Sequence, residues 1–136
     1  MRHKLLFLAA LSVLGACAPQ LGDGCTTDTD CSATGTRFCD RSQPGGYCTI
    51  LNCEPKACGS EGVCVRFKPE QARVSSSWCM EKCSSTGDCN RDAYVCRSAE
   101  ELGKVTEGAG TSEVSVLTRA EVLDSDVNQK FCVVKE

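Results

Sequence analysis

The sequence predicts a small disulfide-rich fold: irregular loops and short β-hairpins in tandem four-cysteine units, with little helix. Three observations carry this expectation. The chain holds 13 cysteines in 136 residues, a density foreign to reducing compartments. Beyond an N-terminal export segment, residues 1–16, only 20 of the remaining 120 residues are Val, Ile, Leu or Phe. An acidic chain this lean cannot bury enough apolar surface to offset its conformational entropy unless covalent links replace the missing core. Finally, the cysteines fall in a repeating pattern.

The export segment begins with the short basic segment Met1-Arg2-His3-Lys4. Leu5 to Leu14 then forms an apolar run of ten residues, too short to span a bilayer as a permanent helix, and it reads as a secretory signal. Loss of Arg2 and Lys4 with the signal shifts the net charge from −3 to −5, which argues against nucleic acid or an anionic membrane surface as the main partner. Two cleavage sites compete. Ala16-Cys17-Ala18 fits the small-x-small rule of signal peptidase but would leave Pro19 as the first mature residue. Leu14-Gly15-Ala16-Cys17 instead resembles a bacterial lipobox, and the resemblance implies that Cys17 becomes the lipidated first residue.

The bland alternative makes Cys17 a half-cystine that happens to follow a signal. Parity favours the lipid, because setting Cys17 aside leaves 12 cysteines, an even number that pairs completely. Each buried acyl methylene is worth about 0.8 kcal/mol, so two or three chains hold a protein in the bilayer stably. In Gram-negative lipoproteins Asp after the cysteine signals retention at the inner membrane; Ala18 stands here, which points to the outer membrane. Residues 17–24 are then expected to form a short lipidated tether.

The remaining cysteines group in fours: Cys25, Cys31, Cys39 and Cys48 (residues 25–48), Cys53, Cys58, Cys64 and Cys79 (residues 53–79), and Cys83, Cys89, Cys96 and Cys132 (residues 83–132). An aromatic residue precedes each fourth cysteine, namely Tyr47, Trp78 and Phe131, and is expected to pack on its unit's disulfides. Units one and three match most closely. Cys25-Thr26-Thr27-Asp28-Thr29-Asp30-Cys31 lies over Cys83-Ser84-Ser85-Thr86-Gly87-Asp88-Cys89, with hydroxyls and the final Asp in register. Such side chains hydrogen-bond nearby backbone N–H groups and turn the chain back, bringing two cysteines near bonding distance. Ala57 stands in place of that Asp in the middle unit, so a two-repeat reading with an unrelated centre remains open. Four cysteines allow three pairings. The crossed one, first with third and second with fourth, ties both loops of a unit together.

Cys-x4-Asp-Cys over residues 25–31, Phe38-Cys39 and Gly46-Tyr47-Cys48 together resemble the N-terminal cysteine-rich module of Dickkopf proteins, over residues 25–53 and without that module's adjacent double cysteine. Over most of its length the chain resembles uncharacterised cysteine-rich bacterial lipoproteins, a resemblance that implies a location and a fold style and no activity.

Unit three contains a 35-residue insertion, residues 97–131, richer in apolar residues than the rest of the exported chain. Ser98 to Gly103 carries the Ser-x-x-Glu of a capping box and a terminating glycine, which predicts one helical turn. Thr106 to Ser112 reads as a flexible turn, Glu113 to Leu117 as a short strand, and Thr118 to Glu121 as a second capping box. The insertion is expected to pack its apolar residues on unit three, or else residues 104–127 present a surface to a protein partner.

Catalytic chemistry has few carriers. The single histidine, His3, leaves with the signal, which removes histidine triads, Cys-His dyads and His-ligated metals. Asp28 and Asp30 form the closest carboxylate pair, but two residues apart on a turn they read as capping groups rather than an acid-base pair or a Ca²⁺ loop. No Cys-x2-Cys suggests zinc, and Gly22 and Gly24 lack the strand, lysine and helix of a phosphate loop. No catalytic residue, metal or cofactor is therefore expected, and the chain reads as a membrane-anchored envelope lipoprotein that binds or supports. The alternatives are a freely secreted binding protein or inhibitor, and an envelope enzyme. Excess dithiothreitol should unfold the mature protein and abolish its near-ultraviolet circular dichroism; a native spectrum with every thiol reduced would contradict the predicted fold class.

Overall fold

The structure, a computed structural model, describes residues 18–69, 73–108 and 114–135. Short elements and many turns dominate, as the lean composition requires. The elements in chain order are a single helical turn α1 (Asp28–Cys31), β1 (Phe38–Cys39), β2 (Cys48–Thr49), β3 (Gly62–Phe67), β4 (Ser76–Cys83), a 3₁₀ turn (Thr86–Asp88), β5 (Tyr94–Arg97), β6 (Lys104–Gly108), β7 (Val114–Thr118), β8 (Ala120–Val122) and β9 (Lys130–Val134). A five-stranded antiparallel sheet in the order β5-β9-β4-β3-β8 forms the body, beside the small hairpins β1-β2 and β6-β7.

Every unit uses the crossed pairing. Unit one joins Cys25 to Cys39 and Cys31 to Cys48, unit two Cys53 to Cys64 and Cys58 to Cys79, and unit three Cys83 to Cys96 and Cys89 to Cys132. Closing 14 residues between Cys25 and Cys39 is worth about 3 kcal/mol in the chain-entropy account. The middle segment is thereby a third copy of the unit, despite Ala57.

Strand alternation divides the sheet chemically. In β3 and β4, Val63 lies opposite Met80 and Val65 opposite Trp78, while Cys64 lies opposite Cys79 on the other face. One face is hydrocarbon, with Val63, Val65, Ala120, Val122, Phe131 and Val133 in one cluster. The opposite face holds sulfur, with Leu21 sealed among Cys53, Cys58, Cys64 and Cys79, and the four cysteines of unit three packed with Tyr47 and Tyr94.

The turn that opens each outer unit follows the Ser/Thr/Asp pattern. Asp30 accepts the amides of Thr26 and Thr27 at 2.8 Å each, and Asp88 accepts those of Ser84 and Ser85 at 2.7 and 2.8 Å. The third cysteine of each unit also donates its amide to a side chain. Cys39 donates to Asp28 at 2.9 Å, and Cys96 to Thr86 at 3.4 Å from the equivalent position. The middle unit lacks such a residue in its own loop, and Asp124 of the insertion supplies it, accepting Cys64 N–H at 2.9 Å and Lys56 N–H at 2.5 Å.

Four expectations change. The insertion packs on unit two as well as on unit three: β8 pairs with β3, with Val122 opposite Val65 and Ala120 opposite Phe67, and Ala99 and Leu102 pack on the same cluster as Val95 of unit three. The capping box expected from Thr118 to Glu121 instead ends β7, bends at Arg119 and begins β8, because burying Ala120 and Val122 in the sheet outweighs one local cap. Thr106 to Gly108 belong to strand β6 instead of a flexible turn, while residues 109–113 lie outside the described residues. The stretch after Cys17 is not a loose tether, since Leu21 is 2% exposed and Gly22 and Asp23 exchange backbone hydrogen bonds with Cys48. By contrast, Ser98 and Glu101 form the reciprocal capping box, closed by Gly103 at φ 74°.

Asp124→Ala leaves two backbone N–H groups without their acceptor and should cost about 2 kcal/mol. Urea unfolding should show the loss, and hydrogen exchange should accelerate at Cys64 while the amide of Cys39 keeps its protection.

Candidate functional site

A groove of about 290 Å³ opens where unit one meets the sheet. Trp78 and Met80 of β4, Phe67 at the end of β3, Tyr94 of β5 and Val133 and Val134 of β9 line its apolar wall. Asp40, Ser42 and Gln43, from the loop between β1 and β2, stand across from them. The groove exists because β4 and β9 pair over only two positions, Lys82 with Phe131 and Cys83 with Lys130, and are not paired beyond them.

Local contacts fix the aromatic rings. Trp78 donates its indole N–H to Ser76 Oγ at 2.6 Å, and its ring lies 5.8 Å from that of Phe38. Tyr94 sits 5.5 Å from Tyr47, donates its hydroxyl to Pro44 O at 3.2 Å, and carries the Arg91 guanidinium 4.4 Å above its ring. Burial raises the pKa of both phenols, so both rings stay neutral. Asp40 exchanges two backbone hydrogen bonds with Tyr47, and its carboxylate accepts both donors of Ser42. The loop between them turns tightly through Gly46, where a Cβ would stand 2.0 Å from the Cys25 carbonyl oxygen; only glycine fits.

Arg91 locks this wall in position. Its guanidinium donates to three carbonyls of the N-terminal half, Gly22 at 3.1 Å, Gly46 at 2.7 Å and Pro44 at 2.5 Å. Beneath it, Glu81 projects from β4 between Cys79 and Cys83, and its backbone N–H donates to the Tyr47 hydroxyl at 2.9 Å. Burial raises the Glu81 carboxyl to about 7, helped by the neighbouring charge of Asp23 and opposed by Arg91.

The residues singled out from sequence fall into three sets. Cys17 lies outside the described residues. All 12 later cysteines are in disulfides; three sulfurs in each unit approach within 4.8 Å, but as half-cystines they have no thiolate for a metal. Asp28 and Asp30 serve backbone amides, and the Thr26 and Thr27 amides hold the exposed Asp30 carboxyl down to about 2. The aromatic residues preceding the fourth cysteines do not sit on their own disulfides. Tyr47 crosses to the sulfurs of unit three, Trp78 faces the groove and Phe131 fills the hydrocarbon face, because each strand end lies beside a neighbouring unit. Arg91, Tyr94, Asp40 and Glu81 carried no spacing signal and went unrecognised in the sequence.

These features define a class: a small disulfide-rich protein built from three crossed four-cysteine units, two of them sharing a five-stranded sheet and the first contributing a separate hairpin beside it. No family model, no curated protein and no solved structure matches the chain.

With the Glu81 carboxyl above its ordinary value of 4.5, the folded state binds the proton more tightly than the unfolded chain. Its favourable contribution is full below about pH 4.5 and is lost as pH rises to about 7. Glu81→Gln should therefore raise Tm by a few degrees at pH 8 and leave it nearly unchanged at pH 4, as scanning calorimetry at the two pH values can measure.

Proposed function

We propose that the chain is an envelope lipoprotein, held in the bilayer through acylated Cys17, whose stapled body is a binding module for a protein partner. The carrying observation is the groove. Aromatic and aliphatic side chains from strands far apart in sequence converge there, anchored by hydrogen bonds and ring contacts that leave little rotamer entropy to lose on binding. The groove suits an apolar segment of a partner, with Asp40 available at its polar side. Catalysis has less support, because the paired carboxylates Asp28 and Asp30 are committed to backbone amides.

The parity argument for the anchor is also supported, since six disulfides use every cysteine from Cys25 to Cys132 and leave none for Cys17. Within residues 104–127, Ala120 to Asp124 serve the sheet and the middle unit, which leaves the β6-β7 hairpin and the exposed residues Ser125 to Val127 as the parts of the insertion that could meet a partner.

Two measurements on intact cells test this reading. The wild type should partition into detergent with a lipid mass on its N-terminal peptide, and Cys17→Ser should move to the aqueous phase; an unmodified wild type starting at Pro19 would make it a secreted protein. Benzoylphenylalanine at Gln43 should then give one discrete adduct on irradiation, lost when Trp78→Ala is added. The same probe at Thr106 reports on the hairpin: an adduct there alone moves binding out of the groove, and no adduct at either position overturns the binding reading.

A further inference from the structure

Resting on the lipoprotein reading, we infer that the folded body has no spacer above the membrane and is seated directly on the phospholipid headgroups through the surface around Pro19. The argument is one of reach. A single residue, Ala18, separates Cys17 from Pro19, and from Pro19 onward the chain is fixed to the body. Arg37 donates to Pro19 O at 2.5 Å. The Leu21 side chain is sealed against the sulfur face, close enough to Gly62 that a Cβ there would lie 2.3 Å from Leu21 Cδ1. Gly22 N–H donates to Cys48 O at 3.0 Å, Cys48 N–H donates to Asp23 O at 2.9 Å, and Arg91 holds Gly22 O from the other side.

Releasing this strap would expose a fully buried leucine and break several hydrogen bonds at once, two of them from arginine, so it stays closed in the native state. Two residues span at most about 7 Å when fully extended. The headgroup layer on one side of a bilayer is itself about 5–8 Å thick. With the Cys17 acyl chains in the hydrocarbon, Pro19 is therefore held within a few ångströms of the headgroup layer, whatever conformation Cys17 and Ala18 adopt. Arg37 and Glu61, ion-paired beside Pro19, give this surface charges of both signs. That pairing suits a layer of phosphates and ammonium groups, and the overall negative charge keeps the rest of the body from spreading over an anionic bilayer. The short link thus orients as well as anchors, because the point of attachment is a fixed feature of the body.

The test uses the full mature protein, purified from its host and reconstituted in a supported bilayer of phosphatidylethanolamine and phosphatidylglycerol. Neutron reflectometry should find protein density starting at the headgroup layer, with no hydrated gap between them. Ten Gly and Ser residues inserted between Ala18 and Pro19, where Ala18 is exposed and the fold is undisturbed, should open a hydrated gap of about 10–20 Å. A gap of that size in the wild type, with acylation of Cys17 verified by mass spectrometry on the same sample, overturns the seating alone. An unacylated Cys17 overturns the lipoprotein reading, and the seating with it, so the two failures are distinguishable.

Discussion

Strand β4 carries the last cysteine of unit two and the first of unit three, Cys79 and Cys83, four residues apart and buried on one face. Two disulfide networks are thereby bolted to a single extended segment, and the strand cannot shift register without straining both. Its edges complete the constraint. β3 pairs along one side. On the other, Cys79 N–H donates to Ile50 O, Ser77 O accepts from Asn52 N–H, and the buried Thr49 hydroxyl donates to Cys79 O. The chain leaving unit one is thus held on the same strand as the other two units. A sheet of this size would be marginal on its apolar face alone; crosslinks at both ends of the pairing make it persist.

The same logic explains how the middle unit survives without the acidic turn of its neighbours. A buried cysteine amide needs an acceptor wherever its loop is too short to offer one. Asp28 and Thr86 answer that need locally, and Asp124 answers it from 60 residues away. The insertion is thereby part of the scaffold: one end adds strand β8 to the sheet edge, and the residue just beyond closes a loop of unit two. Edge strands invite unwanted pairing, and the short β8 ends this edge at three residues.

The groove and the strap are both held rigidly. The aromatic wall of the groove is pinned by Ser76, Pro44 and Arg91, and the strap at Pro19 is pinned by Arg37 and Leu21. Arg91 touches both, since it lies over Tyr94 and grips Gly22 O. On the proposed seating, the strap would hold the groove in one orientation, which would favour a partner that shares the envelope and reduce the ordering cost on contact.

Much of this was legible in the residues. Cysteine parity, the four-cysteine period and the Thr/Ser/Asp turns are local or countable, and together they pointed to an oxidised, loop-rich scaffold and to the capping by Asp30 and Asp88, with the crossed links one of three open pairings. The groove was not legible, because Trp78, Tyr94 and Val133 meet only after units two and three share one sheet and unit one docks beside it. Thr118 to Glu121 carries a sound helix-capping pattern, yet it ends β7 and begins β8, since Val65 and Phe67 offered a place to bury Val122 and Ala120. Leu21 looked like part of a tether because nothing near it in sequence shows the sulfur face it fills. The sequence by itself determined that disulfides hold the protein together, since the number and grouping of the cysteines can be counted, while the choice among three pairings in each unit was left to the structure. Only the tertiary structure decided which surfaces face each other, because side chains such as Tyr47, Arg91 and Asp124 find their partners across distances over which local propensity has no influence.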